Sequence, residues 1–213
     1  MIAWTFISAL TLTPAATSGC SEPVRPSFDV VLGVQPVSVS SDMPLADLAA
    51  LAARSHAPLR HPAYGYYVGT FGYSIKVIPA SNEPCSKDFR VRILMGLGGR
   101  HIEIAHELQA DRCLYSNYLQ HYEKHAASDV ALIADYSRRV ANALRSTPMR
   151  LQPGRVSSGD QMSDEVRKTI DKILVPLTSD RVAISRQIDS NAEVETLRHV
   201  CASSSGTAAP SPI

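Results

Sequence analysis

The chain has 213 residues, 21 Lys and Arg against 20 Asp and Glu, and a formal net charge of +1. That balance argues against a nucleic-acid partner, and 45% apolar residues is too many for an intrinsically disordered chain. With a leader and a tail set aside, roughly 170 to 180 residues remain, which suits one domain with a real core.

In chain order, Ile2, Ala3, Trp4, Phe6, Ile7, Ala9, Leu10 and Leu12 form an apolar stretch that small residues carry on to Thr17-Ser18-Gly19-Cys20. This is the layout of a signal peptide over residues 1–20, although the basic n-region is absent. Ser-Gly-Cys resembles a bacterial lipoprotein cleavage box, with Cys20 as the lipidated residue. Plain cleavage near Ala16, leaving Cys20 free to pair, is the other outcome. The expected location is the cell envelope, periplasmic or lipid-anchored, or the medium. Any membrane attachment is expected only through Cys20, because no later stretch approaches the roughly 20 apolar residues of a spanning helix.

The mature part, residues 27–201, is expected to be a single α+β domain: a small antiparallel sheet of hairpins packed on a long central helix, with two further C-terminal helices. Phe28 to Ser40 alternates in a β-rich pattern broken by Gly33 and Pro36, as one or two edge strands would. An Ala/Leu-rich helix starts at Asp42 or Pro44 and runs to about Arg54. The segment from Ala57-Pro58 to His61-Pro62 follows as loop, since proline disfavours a continuing helix. Phe71, Tyr73, Ile75 and Val77 then share one strand face. Phe89 to Ile93 and Ile102 to Ile104 predict a hairpin that turns at Gly96-Leu97-Gly98-Gly99. Leu114 to Arg145 contains neither Gly nor Pro and predicts one long helix ended by Thr147-Pro148. After a polar linker from Gln152 to Gln161, Ser163 is expected to cap a helix that reaches Pro176, and a last helix spans about Asp180 to Cys201. The Ser/Ala/Pro tail, 202–213, has nothing to bury and is expected to be disordered.

Four cysteines in an exported chain point to disulfides rather than to a metal, because the compartment is oxidising and no C-x-x-C occurs. Cys85 and Cys113 flank the predicted hairpin and form the expected pair, with Cys20 and Cys201 at the margins of the domain.

The chemistry concentrates on the long helix. At about 100° per residue, His125 falls near 40° from His121 and Asp129 near 80°, so the three side chains form a ladder inside an otherwise apolar face. Gln120, Glu123, Lys124, Asp135 and Arg138 lie on the solvated side. Two histidines at i, i+4 have the spacing of zinc ligands on a metalloprotease helix, and a carboxylate one turn later is a third candidate ligand. The competing account is a pair of core-edge histidines hydrogen-bonded to Asp129 or to backbone carbonyls. His101 and Glu103 on the return strand could supply a further ligand or base if that face met the helix; a solvated strand face is the simpler expectation. His106-Glu107-Leu108-Gln109-Ala110 begins like H-E-x-x-H but has Ala110 at the second ligand position, and is read as chance.

The run from Tyr66 through Leu144, with its hairpin, its flanking cysteines and a long helix bearing His121, His125 and Asp129, resembles a group of secreted bacterial zincin-like zinc proteases. The resemblance implies a zinc ion and a peptide or protein partner. It also implies a glutamate after the first histidine as general base, and here that position is Tyr122 in His121-Tyr122-Glu123-Lys124-His125. Tyrosine, with a reference pKa near 10, is a poor base at neutral pH, and Glu123 sits about 200° around the helix from His121. Two functions therefore stand side by side. One is a zincin-related zinc-dependent peptidase or its catalytically degenerate relative. The other is a non-catalytic envelope lipoprotein or secreted interaction domain.

Overall fold

The computed structural model describes residues 25–54, 64–79, 88–147 and 158–190, and then residues 192, 193, 196, 197, 200 and 201. The leader with Cys20, the loop around His61-Pro62, Cys85 and the tail after Cys201 lie outside the described residues. The fold is α+β. Strands β1 (Arg25–Val34) and β2 (Ser38–Ser40) precede helix α1 (Leu45–Arg54), and β3 (Gly65–Pro79) and β4 (Asp88–Ile104) follow it. A 3-10 helix (His106–Ala110) leads into α2 (Arg112–Ser146), α3 (Ser158–Leu174) and α4 (Leu177–Ile188). Among the described residues no helix is long and apolar enough to cross a membrane.

Strand β4 organises the sheet. It pairs antiparallel with β3 along one edge, and along the other it pairs parallel first with β1 and then with β2. The sheet is therefore mixed rather than purely antiparallel. Pro36 lies in the gap between β1 and β2, where its missing N–H leaves no ladder bond unmade.

The turn expected at Gly96–Gly99 does not form, because β4 runs unbroken through these glycines and the hairpin is β3–β4. In place of a turn there is a bulge: Val68 pairs with His101 and Thr70 with Gly98, so two β4 residues face one on β3. Gly99 adopts φ +58° at this point, the left-handed conformation that glycine takes at little cost. The extra residue exchanges the two faces of the strand. Val91, Ile93, Met95 and Leu97 are buried before it, and Ile102 and Ile104 after it.

Two cores result. The first packs the odd-numbered β4 residues against Leu132, Ile133, Tyr136, Val140 and Leu144 of α2 and Met162, Val166 and Ile170 of α3. The second joins Ile102 and Ile104 to Leu48, Leu108, Tyr118 and Leu197. Each large aliphatic side chain so buried contributes roughly 1.5–3 kcal/mol. Helix α2 spans both cores and ends close to where Thr147-Pro148 predicts. Its N-terminus is capped by Asp111, whose carboxylate accepts from the backbone N–H groups of Cys113 and Leu114, satisfying two donors that the helix itself leaves open.

Two helix boundaries differ from expectation. Helix α3 starts at Ser158, which leaves Ser163 inside it. The last helix breaks at Asp189, and helical residues resume beyond it as far as Cys201. This C-terminal segment returns antiparallel along α2. Cys113 in the first turn of α2 consequently bonds Cys201, at a Cα–Cα distance of 5.7 Å, and not Cys85. The expected Cys85–Cys113 pair assumes a hairpin between residues 89 and 104, which β4 replaces with one continuous strand.

Candidate metal centre

The buried stripe of α2 carries His121, His125 and Asp129 between the two apolar cores, with Ser137 further along the helix. The helical ladder read from the sequence is present, and Gln120, Glu123, Lys124 and Arg138 are exposed on the other side. The third partner is a different residue. Asp129 lies eight residues from His121, about 12 Å along the axis, and cannot meet both rings at one point. It is taken instead by Arg181 of α4, whose Nε and Nη2 donate to its two oxygens at 2.9 and 2.6 Å. A forked pair of this kind matches guanidinium to carboxylate bond for bond, and Arg181 also lies over the Phe71 ring.

Asp189 takes the place expected of Asp129. Its Oδ1 lies 3.1 Å from His121 Nε2 and 2.9 Å from His125 Nε2, so two imidazoles one helical turn apart converge on a single oxygen. The histidines are buried, whereas the Asp189 side chain is 52% exposed. Burial pushes the Asp189 carboxyl upward, but the hydrogen bonds and charge of the two histidines outweigh it and hold the group well below the usual carboxylate range. His121, His125 and Asp189 form the one group among the described residues whose ligand atoms lie close enough together to hold a metal ion, all within 4.8 Å of one another. Ligands bound at 2.0–2.1 Å on a tetrahedral centre stand about 3.3 Å apart, so the observed nitrogen–oxygen spacings need little change. His121 Nδ1 is buried without a hydrogen-bond partner, so the outer nitrogen of this ligand lacks the orienting bond that ligating histidines usually make.

The sequence around Asp189 holds a turn signal. Asp189-Ser190-Asn191 is a cluster of turn-forming residues inside the segment read as one helix, and the break there places the carboxylate at the end of α4.

Tyr122 sets its ring beside both histidines, with centroids 5.2 Å from His121 and 6.2 Å from His125, and its hydroxyl donates to the Gly65 carbonyl at 2.7 Å. Burial foremost, then the charge of Asp189, pushes its hydroxyl far above the ordinary tyrosine value. It therefore serves as a tie between α2 and β3. Glu123 faces solvent, as the helical wheel requires. The His106-Glu107 fragment is structural: Glu107 accepts from the Leu45 N–H at the start of α1, and His106 Nδ1 meets the Ser41 carbonyl at 3.2 Å. His101 and Glu103 belong to a separate group next to β2, and Glu103 is buried rather than solvated.

Comparisons of the chain with protein-family models, curated proteins and solved structures give no match.

Proposed function

We propose that this is an exported zinc-binding domain, a catalytically degenerate relative of zincin-like peptidases, in which His121, His125 and Asp189 hold one ion. The observation that carries the reading is the convergence of two imidazole Nε2 atoms on one carboxylate oxygen. Three protein ligands of the types His, His and Asp suit zinc, and they leave a fourth position for water or an incoming donor. A bound zinc ion would supply Lewis acidity there. The chain's own residues orient the ligands: α2 sets the two rings one turn apart, and the end of α4 presents the carboxylate.

Peptide hydrolysis also needs a base beside the metal-bound water. Tyr122 is committed to the Gly65 carbonyl and Glu123 faces solvent, so the reading joins metal binding to little or no peptidase activity. A second reading has its own support. The same contacts, with Arg181–Asp129 and Cys113–Cys201, bind the C-terminal segment along α2, as a metal-free structural or interaction domain would require.

Metal analysis after purification with added zinc separates the two. About one ion per chain, lost in His121→Ala and in His125→Ala, supports the metal centre. A metal-free protein whose melting temperature is unmoved by zinc sinks it. Mass spectrometry of the mature protein tests export separately: an intact Met1 removes that part, and an unlipidated N-terminus removes the anchor at Cys20.

A further inference from the structure

Strands β2 and β4 bring together a second polar group, and it does not rest on the metal reading. Ser38 pairs with His101 and Ser40 with Glu103, so neighbouring positions on two parallel strands place all four side chains on one face of the sheet. Tyr66, opposite Glu103 on β3, sets its ring beside His101 at a centroid distance of 6.2 Å.

The hydrogen bonds in this group have a direction. Glu103 is buried, and Oε1 accepts from the backbone N–H groups of Asp42 and Met43 at 2.8 and 3.0 Å. Its Oε2 accepts from the Ser40 hydroxyl and lies 3.2 Å from His101 Nε2. Burial pushes the Glu103 carboxyl up, but these bonds outweigh it and keep the group below its ordinary value. An ionised carboxylate only accepts, so His101 carries its hydrogen on Nε2 and presents a bare lone pair at Nδ1. At 2.9 Å from Nδ1 stands the Ser38 hydroxyl, on an exposed residue. The same hydroxyl lies 3.1 Å from the Arg100 carbonyl, so its single hydrogen turns from that acceptor to Nδ1 when His101 takes it.

We propose that Ser38 is a nucleophile for activated acyl or phosphonyl donors, with His101 as its base and Glu103 as the residue that positions the imidazole. The order hydroxyl, imidazole, carboxylate is the one that activates serine in hydrolases of unrelated folds; here the hydroxyl meets Nδ1 and the carboxylate Nε2. With an activated ester, Ser38 Oγ forms a bond to the carbonyl carbon while its proton passes to His101 Nδ1. The bond to the leaving alkoxide or phenolate then breaks, and the proton leaves with it. The product is an ester on Ser38, and the charge of Glu103 favours the imidazolium formed on the way. Ser40 is not the nucleophile, because its hydroxyl is committed to Glu103.

A fluorophosphonate probe tests this on the full chain, with peptide mapping of the adduct. One adduct at Ser38 is expected, absent in Ser38→Ala and reduced about a hundredfold or more in rate by His101→Gln. Glu103→Gln should slow labelling and move the pH midpoint of its rate downward, a change that a merely structural glutamate does not produce. p-Nitrophenyl acetate should release one equivalent of nitrophenolate in a burst that Ser38→Ala removes. Absence of any adduct at Ser38 overturns the proposal. So does labelling at an unchanged rate in folded His101→Gln, which would mark Ser38 as an ordinary exposed hydroxyl.

Discussion

The protein holds two histidine–carboxylate groups, and their carboxylates differ in what already binds them. Glu103 is buried and has both oxygens occupied by donors from Ser40, His101 and the backbone of Asp42 and Met43. It has no capacity left for a cation, and its effect is to fix the tautomer of one ring. Asp189 is half exposed and meets two rings at one oxygen. Such a group gathers lone pairs once the two imidazoles give up their Nε2 hydrogens, which is what a metal requires. Saturation by N–H and O–H donors thus separates the proposed proton relay from the candidate metal centre more clearly than residue type does. The two groups also differ in construction. Parallel pairing of β2 with β4 builds the first, whereas the return of the C-terminal segment along α2 builds the second, and both join positions more than sixty apart in sequence.

The largest effect should come from cutting that return. Cys113 and Cys201 are separated by 88 residues, and the chain-entropy account assigns a loop of this length on the order of 4 kcal/mol. A Cys113→Ser, Cys201→Ser double variant should unfold at clearly lower urea and bind zinc more weakly, while fluorophosphonate labelling of Ser38 stays unchanged in the folded protein. Loss of labelling together with zinc would show that the two groups are not independent.

Arg181→Ala leaves the buried Asp129 carboxylate without its partner, which costs about 3 kcal/mol for a well-buried pair and less here because Arg181 is partly exposed. Chemical denaturation measures the loss, and Asp129→Asn in the same background should restore part of it. If Asp129→Asn abolished zinc binding, Asp129 would have to be restored as a metal ligand.

Zinc at a hundred times its dissociation constant should raise stability by about 2.7 kcal/mol, read as a rise in melting temperature. His121→Ala, His125→Ala or Asp189→Ala should erase that rise. Asp129→Asn should keep most of it.

Smaller effects sharpen the other side of the comparison. Gly99→Ala forces a side chain onto a positive φ, at about 1–2 kcal/mol, and should slow Ser38 labelling while leaving zinc affinity alone, because the bulge at Gly99 positions His101. Glu103 titrates below its ordinary value of 4.5, so its contribution to stability is full above that pH and is lost as the pH falls on through the lower folded-state value. The stability difference between the native chain and Glu103→Gln should therefore shrink on acidification, as denaturation at several pH values would read. Tyr122→Phe removes one hydrogen bond to Gly65, about 1 kcal/mol, and should not touch metal binding.

The sequence alone determined whatever a local period decides. The long α2 helix, its stop near Thr147-Pro148, the buried flank with His121 and His125, and the edge strands interrupted at Pro36 all follow from spacing and from proline. It could not decide which carboxylate joins the histidines. Asp129 is near in sequence but two turns along a rigid helix, and Asp189 is distant in sequence but folded back to within 3.1 Å. Gly96 to Gly99 posed the same problem, since glycine serves a turn and a bulge alike. The pairing of β4 with three other strands selected the bulge, and that bulge turned His101 and Glu103 toward β2. The cysteines went the same way: flanking a presumed hairpin favoured Cys85 with Cys113, whereas the antiparallel return of the C-terminal segment brought Cys201 to Cys113. Periodicity is a property of a few consecutive residues, but the partners of a buried charge or thiol are set by which distant surfaces the packing brings together.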